Sequence, residues 1–107
     1  MYARKLTLQL HQNQTGEFTR VIESEIIPLL RKQPGFRDGL VLINPSASQA
    51  ETISLWNSAE NAEAFGRGPY SDMLKILRRL TKDQPQFQGF EVANTTLQRQ
   101  GGGGSTT

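Results

Sequence analysis

The side chains that could do chemistry in this chain are one tryptophan, two tyrosines, one histidine and a set of carboxylates, since cysteine is absent. Tyr70 carries a phenol whose ordinary pKa, about 10, matches that of a phenolic substrate. It is a candidate for proton transfer or hydrogen bonding, unless its hydroxyl simply reaches solvent at the rim of the core. Trp56 offers an aromatic ligand a flat wall and one directional N–H donor, or else it closes the core.

His11 and Glu25 are the candidate proton acceptors. His11 is the sole histidine, and without HxH or HExxH spacing it predicts no metal site. It is either a general base or a solvated loop residue. Glu25 falls near the centre of an apolar helical stripe. It is either a buried carboxylate with a raised pKa facing a pocket, or a side chain turned outward by Pro28 or paired with a dimer mate.

Three further residues are candidates for substrate contact because they stand at strand ends. Asn44 and Asn57 could each hydrogen-bond a substrate oxygen, although both are equally good turn and cap residues. Phe36 begins the second predicted strand. The candidate site therefore comprises Tyr70, His11 and Glu25 as catalytic residues and Trp56, Asn57, Asn44 and Phe36 as substrate-binding residues.

The elements that must position these residues follow from hydrophobic periodicity. Alternation with a period of two predicts strands, and they cover residues 4–10, 36–44, 51–57 and 87–97. Spacing at about 100° per residue predicts helices over 17–32 and 59–65, with a third beginning at Pro69. Thr15 and Ser58 are predicted N-caps, and Pro28 should kink or loosen the first helix.

The order β-α-β-β-α-β, with the second helix broken in two, predicts an α+β, ferredoxin-like fold in which two helices pack on one face of a four-stranded antiparallel sheet. Residues 1–98 form one predicted domain. Residues 99–107, with four consecutive glycines, are predicted to be a flexible tail or an expression scar.

The composition bears on several classes of partner. No apolar run approaches the roughly 20 residues that a membrane span needs. A formal charge of +2 gives no sign of nucleic acid, and the first strand lacks the stacking aromatics of an RNA-recognition domain. We expect no nucleic-acid or membrane partner, and a cytoplasmic location by default.

The second predicted strand is apolar on both faces. Leu40 and Leu42 point one way, and Val41 and Ile43 point the other. Topology places this strand at a sheet edge, where long apolar strands need covering. A homodimer in which two open sheet faces pack together would cover it, and a bulged or locally covered edge is the alternative.

Two segments carry a resemblance to a known family. Residues 27–36, IPLLRKQPGF, and residues 54–60, SLWNSAE, resemble the helix-to-strand junction and the third strand of the antibiotic biosynthesis monooxygenase family. This resemblance implies a dimeric α+β barrel and cofactor-independent oxidation of small aromatic or quinol-type molecules. The family's haem-degrading branch uses a histidine on the second helix, and residues 66–75 contain none.

The leading hypothesis is therefore a monooxygenase without a cofactor, acting on a small aromatic or quinol. In such a reaction an electron-rich phenolate itself donates to oxygen, and the protein lowers the substrate's pKa and excludes water. The alternative is a non-catalytic dimeric module that binds a small ligand or acts as an interaction scaffold.

Overall fold

The computed structural model describes residues 1–97. The strands are β1 (Tyr2–Gln9), β2 (Phe36–Asn44), β3 (Gln49–Trp56) and β4 (Gln86–Glu91). The helices are α1 (Thr15–Val21), α2 (Ile27–Arg31), α3 (Ala59–Arg67) and α4 (Pro69–Leu77). A π-helical turn (Ile22–Ile26) joins α1 to α2, and 3-10 turns span Pro45–Ala47 and Arg78–Leu80. The predicted order is confirmed, and the predicted tail lies outside the described residues.

The four strands form one antiparallel sheet in the order β2-β3-β1-β4. In β1, Leu6 lies opposite Thr52 of β3 and Phe87 of β4, so these residues share one face. That face carries the helices, and the predicted ferredoxin-like arrangement is confirmed. β2 occupies an edge, as expected. β4 is shorter than predicted, ending at Glu91 instead of continuing to residue 97.

The core lies between the sheet and the helices. β1 contributes Leu6 and Leu8, which are buried because alternation turns both toward the helical layer. Four helical residues of the same core cluster are fully buried: Phe18, Val21, Ala62 and Leu77. Burying a side chain of the Val, Leu or Phe type contributes roughly 1.5–3 kcal/mol, so this layer dominates the stability of the domain.

Pro28 explains the interruption of the first helix. Because proline has no N–H, it cannot complete the α-helical bond to the residue four positions earlier. The chain widens into a π-helical turn just before it, and the N–H of Ile27 donates to the carbonyl of Ile22, five residues back. The wider turn brings Ile26 to the buried face and turns Glu25 to the exposed one. Glu25 is therefore not the buried carboxylate that uninterrupted α-helical spacing suggests.

The second helical half follows the predicted signals closely. Ser58 caps α3, because its hydroxyl accepts the N–H of Asn61 at 3.1 Å. Pro69 begins α4, as predicted. The predicted cap at Thr15 is wrong: α1 is preceded by Gln14, which makes no side-chain capping bond, and Thr15 is the first helical residue.

On the other face of the sheet, no helix from residues 1–97 covers the strands. Leu40, Leu42 and Phe90 lie there with 55%, 46% and 44% of their surface exposed. We call these three residues, with Ile53 and Leu55 of β3, the open face. No helix within residues 1–97 is long and apolar enough to cross a bilayer.

Candidate functional site

A cavity of about 480 Å³ lies between part of the helical layer and the sheet. Its helical wall is mostly apolar and comes from both halves of the chain, with these aliphatic and thioether side chains: Ile22, Ile26, Leu30, Met73 and Leu77. Its sheet wall is mixed, with aromatic, aliphatic and polar side chains: Arg4, Leu6, Phe36, Val41, Thr52, Ser54 and Phe87. Ligand sites typically enclose about 300–1,000 Å³ with mostly apolar walls and a few polar groups. This cavity has that size and composition.

Tyr70 and Phe36 are the two predicted site residues that line the cavity. They belong to an aromatic series in which each ring contacts the next, with centroids 5.0–6.3 Å apart: Phe36, Trp56, Phe65, Tyr70 and Phe87. The Tyr70 hydroxyl makes no hydrogen bond to other atoms of the described chain. It is therefore available to a ligand.

Trp56 lies one layer behind the cavity wall. It is fully buried, and its indole N–H donates to the hydroxyl of Ser54 at 2.9 Å. Its ring packs between Phe36 and Phe65, which both line the cavity. Trp56 thus supports the wall and presents neither its face nor its donor to a ligand.

His11 and Glu25 lie outside the cavity. His11 is exposed at a shallow surface depression, where Arg79 is a neighbour. The Glu25 carboxylate, whose side chain is 43% exposed, lies 3.9 Å from the guanidinium of Arg79. Neither residue reaches a ligand bound between the helices and the sheet.

The two candidate asparagines are also outside the cavity. Asn44 ends β2 at the surface, where its amide oxygen accepts the hydroxyl of Ser46 at 2.9 Å. Asn57 follows β3, and its amide oxygen accepts from Arg37 at 3.0 Å. Both side chains bond to neighbouring protein groups at strand ends, in agreement with the alternative interpretation of these asparagines as turn and cap residues.

Arg4 is the cavity residue that the sequence analysis missed. Its side chain is on the helical face of β1 with Leu6 and Leu8, and only 9% of its surface is exposed. The signal was present in the alternation, because Arg4 shares the parity of the leucines. A buried polar residue is more informative than an exposed apolar one.

Burial and the charge of Arg4 shift the pKa of Tyr70 in opposite directions. Burial raises the pKa of the Tyr70 hydroxyl above its usual value of 10.0, and the positive charge of Arg4 offsets part of that rise. Burial likewise lowers the pKa of the Arg4 guanidinium, although arginine stays charged in proteins. At neutral pH the cavity therefore holds a neutral phenol, which can donate a hydrogen bond, beside a cation.

The raised pKa of Tyr70 predicts a loss of stability at alkaline pH. The unfolded chain releases this proton at about pH 10, and the folded chain releases it only at a higher pH. The stabilisation is therefore complete below about pH 10 and is lost as the pH rises from there through the pKa of the folded state. We expect the free energy of unfolding to fall less steeply in Tyr70→Phe over this range, measured by urea unfolding.

In Arg4→Met the pKa of Tyr70 should rise further, measured by phenolate absorbance. An unchanged or lower pKa there would contradict the proximity of the two groups.

The charged groups around the cavity are mostly cationic. Arg4, Arg31 and Arg37 are among the lining residues, and Asp38 is the one carboxylate among the lining residues that the structure describes. Lys5 also borders the cavity, but strand alternation turns its side chain to the other face of the sheet, where it pairs with Glu51. Within residues 1–97, no three His, Cys, Asp or Glu side chains come together as a metal site would require. The arrangement can therefore bind a flat, apolar ligand, donate a proton from Tyr70 in a hydrogen bond, and stabilise negative charge.

Comparison with solved structures identifies proteins of the same fold. A protein of unknown function from Nitrosomonas europaea superposes with a TM-score of 0.77 and 17% identity, covering 92% of this chain and 95% of that one. The monooxygenase ActVA-Orf6 of Streptomyces coelicolor, in complex with nanaomycin D, gives 0.74 and 16%, covering 92% of each chain. SnoaB, a cofactor-independent oxygenase from Streptomyces nogalater, gives 0.70 and 17%, covering 91% and 97%.

Other neighbours of this fold, from Nitrosomonas europaea and Bordetella bronchiseptica, are candidate antibiotic biosynthesis monooxygenases. No protein-family model matches the sequence, and comparison with curated proteins finds no similar sequence. The chain thus has the fold of antibiotic biosynthesis monooxygenase-type proteins, and the ferredoxin-like α+β fold predicted for the subunit is confirmed.

Proposed function

We propose that this chain is a cofactor-independent oxygenase that oxidises a small aromatic or quinol-type substrate in the cavity between the helices and the sheet. The observation that carries the proposal is the cavity itself, about 480 Å³ in volume, with the unpartnered Tyr70 hydroxyl on an aromatic wall. The shared fold with an oxygenase that works without a cofactor and with a monooxygenase holding nanaomycin D supports it.

The chemistry needs only the substrate and oxygen. An activated methylene or quinol carbon loses a proton, and the resulting delocalised anion transfers one electron to dioxygen. Recombination forms a carbon–oxygen bond and, after protonation, a hydroperoxide. Loss of water then leaves a carbonyl, so one oxygen atom enters the product and the other leaves as water. The substrate supplies all the electrons, and the protein positions the reactants and excludes bulk water.

Tyr70 is the residue that we assign to orient the substrate. Because its pKa is raised by burial, it stays protonated at neutral pH and donates to a substrate oxygen. That donor also stabilises the negative charge that develops on this oxygen as the proton leaves carbon. Phe36 and Phe65 provide apolar walls for the ring system.

The non-catalytic binding module remains the second candidate, supported by one observation. Among the lining residues that belong to the described part of the chain there is no histidine and no glutamate, and the one carboxylate there, Asp38, is exposed. A binding protein needs no base, whereas an oxygenase without one must promote ionisation of the substrate by other means. Saturable ligand binding without oxygen consumption would favour this second function.

A homodimer is part of the proposal, with a second copy covering the open face. The support is the exposure of Leu40, Leu42 and Phe90 on a face without helices, next to an edge strand. Two such faces packed together would remove this apolar surface from water. The association would also close the α+β barrel that the resemblance implies.

We expect Tyr70→Phe to lower the rate of oxygen uptake at least about 100-fold, because one donor that stabilises a developing oxyanion typically contributes about 10²–10³-fold. The measurement is oxygen consumption with a panel of quinols and anthrones. Tyr2→Phe is the matched control, since Tyr2 is a tyrosine on β1 outside the cavity lining. Equal rates for Tyr70→Phe and the wild type would remove Tyr70 from the reaction, and no uptake with any substrate would contradict the oxygenase.

A further inference from the structure

Arg4 is a buried cation without an anionic partner in the described chain. Its side chain faces the helical layer, and 9% of the residue is exposed. The ion pairs found among residues 1–97 involve Lys5, Arg20 and Arg79, and none involves Arg4. A buried charge without a counter-ion is costly and is seldom kept for stability alone.

Aromatic rings hold the guanidinium in place. Its central carbon lies 4.0 Å from the ring centroid of Phe87, 4.8 Å from that of Tyr70 and 5.6 Å from that of Phe65. Such contacts fix the position of the cation. They supply ring faces, however, and leave its N–H groups without strong acceptors.

The hydrogen bonding of Arg4 is correspondingly incomplete. A guanidinium has five N–H donors, and the acceptor found for Arg4 is the carbonyl of Ala62, at the long distance of 3.5 Å from Nη1. Among the described residues, no inaccessible side-chain nitrogen or oxygen lacks a partner. The remaining N–H groups of Arg4 are therefore accessible, and the accessible space beside them is the cavity.

The end of α3 is shaped around this cation. A Cβ atom added to Gly66 would lie 2.8 Å from Nη1 of Arg4, closer than real Cβ atoms approach other atoms. Glycine at this position lets the backbone approach the guanidinium. The cation is thus bordered by three rings and one glycine, and Arg4 is among the residues that line the cavity.

We propose that Arg4 is the anion-binding group of the cavity, and that the ligand is a flat aromatic molecule bearing a delocalised oxyanion, either a carboxylate or an ionised phenol or enol. The inference deepens the proposed function and rests on the cavity being the ligand site. A guanidinium can donate two parallel hydrogen bonds to the two oxygens of a carboxylate, which an ammonium cannot do, and its charged N–H groups also donate to the single oxygen of a phenolate or enolate. The cationic residues around the cavity favour the same ligand charge.

This assignment supplies what the cavity otherwise lacks for the oxygenase reaction. An opposite charge within a few ångströms favours the ionised form of an acid and lowers its pKa. A phenol or enol bound against Arg4 would therefore ionise more readily than in water, without a histidine or carboxylate base. Its proton passes to solvent, and the anion is the electron-rich species from which dioxygen takes an electron.

Calorimetric titration with naphthoate and naphthamide tests the proposal, because these ligands share shape and differ in charge. We expect the wild type to bind naphthoate about 10- to 100-fold more tightly, the range for charge-assisted hydrogen bonds. Arg4→Met should abolish the preference, and Arg4→Lys should retain part of it. Lys75→Met removes one positive charge from α4 outside the cavity lining and should leave the preference unchanged.

Gly66→Ala provides a second test that keeps the charge, because its methyl group displaces the guanidinium. It should reduce the preference for naphthoate, and it keeps the test decisive if the Arg4 variants fold poorly. Equal binding of both ligands by the wild type, no binding of naphthoate, or an undiminished preference in Arg4→Met would each overturn the proposal.

The two proposals fail separately. A preference for naphthoate that depends on Arg4, with no oxygen uptake from any quinol, would retain the anion site and remove the oxygenase. The opposite result is also possible: the wild type and Arg4→Met take up oxygen equally fast, and the wild type binds naphthoate and naphthamide equally. That result would retain the oxygenase and remove the anion site.

Discussion

Trp56→Ala is expected to lower the free energy of unfolding by about 3–5 kcal/mol, the usual cost of truncating a buried tryptophan. Trp56 is fully buried and contacts the rings of Phe36 and Phe65. The substitution leaves a void between those rings and removes the donor to Ser54. Since domains of this kind are stable by about 5–15 kcal/mol, a large share of the total would be lost. Urea unfolding followed by circular dichroism measures the change.

Trp56→Phe separates the two roles that the sequence left open for this residue. Phenylalanine keeps an aromatic ring against Phe36 and Phe65 but has no N–H, so it should cost much less than alanine. If Trp56 were a direct ligand contact, the phenylalanine variant would lose ligand affinity at nearly unchanged stability. If it only supports the wall, affinity should change little. Our placement of Trp56 behind the cavity wall would be contradicted if Trp56→Ala had the same free energy of unfolding as the wild type but no longer bound naphthoate.

Much of the fold could be predicted because its signals are local. Alternation in β1, the caps and breaks at Ser58 and Pro69, and the order of elements each depend on neighbouring residues. The π-helical turn could not be predicted from the apolar stripe, because that stripe assumes one constant turn angle. Pro28 signalled a disturbance without indicating its form, and the position of Glu25 depends on that form.

The site was predicted less well than the fold because a cavity joins residues that are distant in sequence. Tyr70 and Phe36 line it, whereas Trp56 is one layer away, and no periodicity distinguishes these two depths. Arg4 was overlooked as the first residue of an alternating strand, where an arginine is usually exposed. Its contacts with Phe65, Tyr70 and Phe87 come from other elements, and only the tertiary structure brings them together.

The open face predicts how the chain behaves in solution. Large exposed apolar patches mark interaction sites. Within residues 1–97, β2 pairs with β3 on one side, and no strand pairs with its other edge. A stable interface buries about 800 Å² on each partner, and one face of a four-stranded sheet can provide such an area. We therefore expect sedimentation of the wild type to show a dimer at micromolar concentration.

Leu42→Lys should convert that dimer into a monomer, raising its dissociation constant at least about 100-fold. A lysine placed in an apolar interface must lose its hydration, and a neighbouring carboxylate seldom offsets that cost in full. Within one subunit the same lysine is tolerated, because Leu42 lies directly opposite Glu51 on β3 and opposite charges on paired strands attract. Leu42 does not line the cavity, so ligand binding within each subunit reports on the fold independently.

Ala64→Asp is the matched control for this variant, since it adds a charge to an exposed position on α3 away from the open face. It should leave the dimer intact. Association of Leu42→Lys as tight as that of the wild type would show that another surface holds the dimer together. A monomeric wild type would remove the dimer from the proposal altogether. In that case the leucines of β2 would need another cover, because an apolar edge strand left in water invites aggregation.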